Sequence, residues 1–164
     1  MIGSTNIGLT YKPTDVTTDK KGTIVLRSCN IVDKKMHYKD VVRVNKNIRN
    51  NQYVETNDIL ICARNGSKAL VGKCALLNSL EEKMSFDAFM AVFRTTFYKC
   101  AFLYFNTQCF RRNFENDDTK QINQVTQDIL KYSLIPLPPL NEQIRIAKMA
   151  KNYFDLIDNI EKNI

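Results

Sequence analysis

The sequence predicts a mixed α/β fold, a small twisted and mostly β domain with packed helices followed by one long amphipathic helix. Three observations predict it. Short runs rich in Val, Ile and Leu dominate the first ninety residues, the pattern of half-buried strands. Apolar and aromatic residues then recur three and four apart between Phe97 and Arg112, the helical period. Finally, a corner built on Pro136, Pro138 and Pro139 leads into a long stripe of the same period. At 164 residues, 44% of them hydrophobic, a single domain with a real core is expected.

The strands are expected at Thr23 to Arg27, Val41 to Val44, Asp58 to Ala63, Val71 to Leu77 and Ala88 to Phe93. From Thr96 to Arg112 a helix is expected. Its face would carry Phe97, Ala101, Tyr104, Phe105, Gln108, Cys109 and Arg112, and its aromatics would pack the sheet more readily than they would form a base-stacking platform. Asn113 to Gln124 reads as a polar loop and Ile129 to Leu137 as a last strand. Three prolines in the four residues 136–139 fix φ and bias each preceding residue away from αR, so helix can begin only after Pro139.

That last helix is expected over 141–164. Leu140, Ile144, Ala147, Ala150, Phe154, Ile157, Ile160 and Ile164 form its stripe, and at ~1.5 Å per residue it would run about 36 Å. Ile146, Met149, Tyr153 and Leu156 widen the apolar face. Such a face needs a partner surface; the helix either projects toward another chain or folds back on its own domain. The chain therefore divides into 1–137 and 138–164.

Charge is unevenly placed. Between Lys20 and Lys73 twelve Lys and Arg face only Asp33, Asp40, Glu55 and Asp58, a net of +8, while the rest of the chain sums to −1 against the total of +7. A surplus carried by strands and their loops suits a polyanion, although a solvated basic face is the plain alternative. The loop Arg64 Asn65 Gly66 Ser67 Lys68 Ala69 Leu70 concentrates groups that can read bases. Arg forks onto guanine O6 and N7, Asn onto adenine N6 and N7, and Gly permits close backbone approach. An ordinary hairpin turn at Asn65-Gly66 is the competing reading.

Catalysis finds little support. His37 is the one histidine and lies among Lys34, Lys35 and Lys39. No Gly-x-Gly fingerprint, Walker sequence or amino-methyltransferase Asn/Asp-Pro-Pro-aromatic motif occurs. Glu115, Asp117 and Asp118 read as solvated loop acids. The five cysteines, Cys29, Cys62, Cys74, Cys100 and Cys109, lack Cys-x-x-Cys spacing and read mostly as reduced core thiols. With no leader and no run of ~20 apolar residues, a soluble cytoplasmic protein without a membrane partner is expected.

Several stretches together resemble one family. Gly22 Thr23 Ile24 Val25 Leu26 Arg27 Ser28 Cys29 Asn30 Ile31 is similar to an early glycine, strand, Arg, Asn-Ile segment. Asn57 to Ser67 with Val71 Gly72 Lys73 Cys74 Ala75 is similar to a strand-loop-strand, and the proline corner with Glu142 Gln143 to a conserved junction. These resemble, in order, the target recognition domain and conserved helix of type I restriction-modification specificity subunits. Where that family commonly has a glycine before its last strand, this chain reads Asp117 Asp118 Thr119 Lys120. Specificity subunits usually carry two target domains and two helices, and this chain has room for one of each.

The resemblance implies a non-catalytic subunit that reads one half of a split double-stranded DNA target. Arg64, Asn65, Gly66, Ser67 and Lys68, with Lys73, would form its recognition loop. Arg27, Asn30, Lys34 and Lys35, and separately Arg111 and Arg112, would mainly hold phosphates. Pro138, Pro139, Glu142, Gln143, Ile144, Ala147, Phe154 and Ile157 would form a helix that pairs as an antiparallel coiled coil and docks methyltransferase subunits, with the restriction subunit as a further partner. No cofactor is expected in this chain; S-adenosylmethionine would come with the methyltransferase. With one half present, the helix is expected to make a homodimer. An interaction-only relic and a nonspecific nucleic-acid binder are the alternatives.

Overall fold

The computed structural model describes residues 2–115 and 124–162. Asp117 to Lys120, most of the expected loop Asn113 to Gln124, and Ile164 lie outside the described residues. The strands are β1 (Ser4–Ile7), β2 (Val16–Thr17), β3 (Thr23–Leu26), β4 (Ile31–Val32), β5 (Lys35–Met36), β6 (Val42–Val44), β7 (Ile59–Cys62), β8 (Cys74–Leu76), β9 (Met84–Phe86) and β10 (Met90–Arg94). The helices are α1 (Tyr98–Phe105), α2 (Gln108–Glu115), α3 (Gln127–Tyr132) and α4 (Leu140–Glu161). The mixed α and β class is the one expected.

A central antiparallel sheet has the order β1-β10-β7-β8. Its middle strand β7 is buried on both faces, as its unbroken Ile59-Leu60-Ile61-Cys62 run requires. Ile59 and Ile61 face α1 to α3 and pack with Phe93, Phe105, Phe110 and Leu130. Leu60 and Cys62 face a second sheet and pack with Leu26, Met84, Phe86 and Met90. That second sheet has the order β2-β6-β3-β9, with β3 and β9 parallel and the other pairs antiparallel. Its far face covers a smaller cluster of Leu9, Val25, Val44 and Ile48. The domain is thus three layers, helices on sheet on sheet.

The polar side chains at the centre of the domain are paired, as burial demands, while Thr5 Oγ1 and Arg27 Nε are buried without a partner among the described residues. Ser85 Oγ donates to the Gln52 carbonyl at 2.7 Å and Gln52 Nε2 donates to the Gly8 carbonyl at 2.9 Å. Asp58, fully buried, accepts two bonds from the Arg94 guanidinium, at 2.7 and 2.8 Å, and one from the Glu55 amide at 2.7 Å.

Four expectations are corrected. The helix over 96–112 is two helices, broken at Asn106-Thr107: Asn106 Nδ2 caps the Phe102 carbonyl at 2.8 Å, and Thr107 Oγ1 accepts the Phe110 amide at 3.3 Å. The break lets Phe110 turn back onto Phe105, with ring centroids 4.7 Å apart. The expected last strand at 129–137 begins instead as helix α3. Thr126 Oγ1 caps the Ile129 amide at 3.1 Å and Asp128 sits in the first turn, the usual signs of a helix start. Residues 133–139 follow without helix or strand. The strand expected from Ala88 starts at Met90, because Phe89 stands in a turn. Of the cysteines, Cys62 and Cys74 are buried but Cys29 and Cys109 are exposed; burial pushes the Cys74 thiol up to about 12.

Helix α4 folds back on its own domain. It packs along α1, and Gln143 anchors its start by donating from Nε2 to the Pro138 carbonyl at 2.8 Å. Gln143, Ile146, Ala147 and Ala150 are partly covered, three and four apart. A second apolar stripe, Met149, Tyr153, Leu156 and Ile160, is left exposed, with Leu140 and Ile144. No helix among the described residues is long and apolar enough to cross a membrane.

Candidate nucleic-acid interface

The loop joining β7 to β8 is not a tight hairpin. Asn65 and Gly66 do not have positive φ; the left-handed glycine is Gly72, at φ 81°. Gly72 is required there twice over, because a Cβ would also stand 2.5 Å from the Phe114 ring tip. Phe114 therefore seats α2 against the end of the loop. The start is held by strand pairing: the amides of Ala63 and Arg64 both donate to the Phe89 carbonyl at 2.9 Å. Between these anchors Asn65 makes an Asx turn, its Oδ1 accepting the Ser67 amide at 3.0 Å. Its Nδ2 reaches across to Ser28 Oγ at 3.1 Å.

That bond joins the loop to the segment after β3. Arg27 donates from Nη2 to the Asp40 carbonyl at 3.1 Å, while its buried Nε has no hydrogen-bond partner. Arg27 lines an open cleft of about 470 Å³ together with Tyr11, Val16, Val42, Asp87 and Phe89. Burial and the Asp87 carboxylate raise the Tyr11 phenol above its ordinary value. Arg27, the Arg64 to Lys68 loop, the 87–89 turn and Tyr11 thus converge on one region. The Arg64 and Lys68 side chains have no ion-pair partner among the described residues, and nothing lies within 4 Å of a Cβ built on Gly66.

Other expected contacts are placed elsewhere. Asn30 is buried, and its amide is consumed by local backbone: Oδ1 accepts the Arg27 amide at 2.9 Å and Nδ2 donates to the His37 carbonyl at 3.0 Å. This corrects its expected phosphate role, since it braces the loop that presents Arg27 and has no face for a ligand. Lys73 Nζ is held by the Ile31 carbonyl at 2.8 Å. Lys34 and Lys35 sit at the β4–β5 turn, whose Asp33 and Lys34 both have positive φ. They meet α4: Lys34 Nζ lies 5.4 Å from the Phe154 ring centre and Lys35 pairs with Asp158. The Lys35 ammonium holds the Asp158 carboxyl below its ordinary value. Arg111 pairs with Glu115 on α2 at 2.9 Å, and Arg112 beside it is exposed.

Sequence pattern does not mark Tyr11 or Phe89 as site residues. Phe89 lies in an apolar run, and the signal that sets it apart is Asp87, whose Oδ1 accepts the Phe89 amide at 2.8 Å and turns the chain. The aromatic cluster of α1 and α2 faces inward, with Tyr104, Phe105 and Phe110 buried. Among the described residues no group of three or more His, Cys, Asp or Glu could hold a metal ion.

Comparison with known proteins follows the same lines. The family model described as type I restriction modification DNA specificity domain matches residues 9–164. The type I restriction enzyme EcoKI specificity subunit of Escherichia coli strain K12 is 30% identical over 159 residues, covering 93% of this chain and 34% of that protein. Two solved structures share the fold. One, described as the structural basis underlying complex assembly and conformational transition of the type I R-M system, gives a TM-score of 0.76 at 17% identity. It covers 99% of this chain and 38% of the other. The HsdS subunit from Thermoanaerobacter tengcongensis gives 0.69 at 14% identity, covering 99% and 37%. The chain spans about a third of the length of the curated relative it matches.

Proposed function

The chain belongs to the type I restriction modification DNA specificity family, and from that premise we propose that it reads one half of a bipartite duplex target. In this reading residues 1–137 are the DNA-reading part. Residues 138–164 serve to dimerise and to position methyltransferase subunits, which bring S-adenosylmethionine. The chain itself supplies no catalytic group, and a restriction subunit is a further partner of the assembled complex. The carrying observation is the Arg64 to Lys68 loop, braced at both ends by Phe89 and Phe114 with its two cations unpaired among the described residues. A fixed backbone with free cationic side chains loses little entropy on binding and can hold register on a polyanion.

Selection of randomised duplex DNA by this chain mixed with a methyltransferase subunit, at about physiological salt, tests the proposal. An enriched split motif is the expected result. A stable protein complex without enrichment favours an interaction-only protein, and a specificity ratio near one favours a nonspecific binder. Within the enriched motif, Arg64→Ala is expected to cost about 1–3 kcal/mol and relax preference at one position. A uniform loss across all sequences instead would make Arg64 a phosphate contact.

The exposed stripe on α4 supports self-association. Ile144 and Ile157 stand free, Ala147 is partly covered by the chain's own domain, and Phe154 is partly capped by Lys34. Antiparallel pairing of two copies would cover Tyr153, Leu156 and Ile160 and create a two-fold symmetric reader of a palindromic split site. Leu156→Asp is expected to convert the dimer to a monomer in light scattering at tens of micromolar without altering the thermal transition of the domain. A wild-type chain that is strictly monomeric at that concentration would reject the pairing.

A further inference from the structure

Phe89 is the most exposed phenylalanine of the described residues, at 58%, and it stands on a rigid support. Its amide is tied to Asp87 Oδ1 at 2.8 Å and its carbonyl accepts both Ala63 and Arg64 amides at 2.9 Å. The ring therefore projects from a turn held by hydrogen bonds at both its amide and its carbonyl. Arg64 begins the neighbouring loop, its amide bonded to the Phe89 carbonyl. Phe89 also lines the cleft of about 470 Å³ together with Tyr11, Val16, Val42 and Arg27. An exposed ring on a hydrogen-bonded turn, next in space to the start of the Arg64 loop and in one cleft lining with Arg27, offers an apolar contact beside cationic side chains.

We propose that Phe89, with the cleft wall behind it, is a sequence-discriminating contact that reads the C5-methyl group of a thymine in the major groove. This rests on the DNA-reading function proposed above. Among base edges in that groove only thymine offers an apolar group, and phenylalanine is one of the side chains that recognise it. The flanking cations suit the surrounding acceptors: Arg27 and Arg64 can bond phosphate oxygens or guanine while the ring takes the methyl. Discrimination then comes from shape and desolvation at one base pair, with no charge change.

The test replaces each thymidine of the selected duplex motif by deoxyuridine, which removes only the methyl group. With the wild-type chain one position is expected to lose about three- to fivefold in affinity, the worth of one buried methyl. Phe89→Ala should bind the thymidine and deoxyuridine duplexes equally at that position, while Phe89→Leu, which keeps an apolar contact, should keep the preference. The slope of affinity against salt should be the same for all three proteins, since no phosphate contact changes. A motif in which no thymine responds to deoxyuridine overturns the inference, as does a Phe89→Ala variant with undiminished sensitivity. Affinity lost on Phe89→Ala without thymine sensitivity would also overturn it, in favour of a ring wedged between base steps. The wild-type measurement decides the point even where a variant folds poorly. Failure to enrich any motif would instead remove the DNA-reading proposal and this inference with it.

Discussion

Arg94→Met is expected to destabilise the domain by about 3–5 kcal/mol, the cost of leaving a buried charge without its partner. Asp58 has no solvent exposure, and both its oxygens are engaged by the Arg94 guanidinium. Arg94 also donates to the Tyr53 carbonyl at 3.3 Å and to Glu55 Oε1 at 2.6 Å. Its pairing with Asp58 raises the guanidinium above its ordinary value, in keeping with a tight charge-assisted fork. Glu55 is largely exposed and adds little. The pair stands where β10 ends and β7 is about to begin, so it clamps two neighbouring central strands and the segment leading into them. Urea denaturation should show the midpoint falling with an unchanged slope. Replacing both partners, Asp58→Leu with Arg94→Met, should recover part of the loss, because no carboxylate is then stranded. A single-variant loss under about 1 kcal/mol would mean that water reaches Asp58 and the clamp is not what holds the strands.

Phe110→Ala carries the second large effect, about 3–5 kcal/mol. The ring is fully buried, and its centroid lies 4.7 Å from Phe105, 5.4 Å from Phe114 and 5.7 Å from Tyr104. These tilted and edge contacts add to the area it buries. The effect should be on folding alone: at low temperature, where the variant remains folded, DNA affinity should equal that of the wild type. Loss of affinity without loss of stability would restore the base-stacking reading of these aromatics. Thermal melts and binding isotherms on the same sample separate the two.

Local pattern carried a good part of the architecture. The five expected strands correspond to β3, β6, β7, β8 and β10 because each holds an apolar run or alternation that only a covered sheet explains. β1 was missed because Ser4-Thr5-Asn6-Ile7 has no such pattern; it is an edge strand, made by the pairing β10 offers. β9 was missed because Ser85 interrupts it, and Ser85 is tolerated only because Gln52 arrives from elsewhere to accept its hydroxyl. The α3 segment misled through its Ile129-Leu130 pair, although Thr126 and Asp128 carried the helix-start signal. At the site, the Arg64 to Lys68 loop was recognisable from residue chemistry. The partners that consume Asn30 and Lys73, and the turn that exposes Phe89, were not, since each depends on residues seven to forty-two positions away or on a backbone reversal.

By itself the sequence determined the fold class, the proline corner, the helical period that follows it and the basic half of the chain, because these are properties of neighbours along the polypeptide. The family followed from the order of its motifs and is borne out by the match over residues 9–164. Only the tertiary structure decided that α4 lies along α1, with Lys34 and Lys35 turned to it and Met149, Tyr153, Leu156 and Ile160 outward. A helical stripe records how much apolar surface must be covered, and which side meets the chain's own domain depends on contacts between segments 43 residues apart, as at Cys100 and Gln143, and 123 apart, as at Lys35 and Asp158.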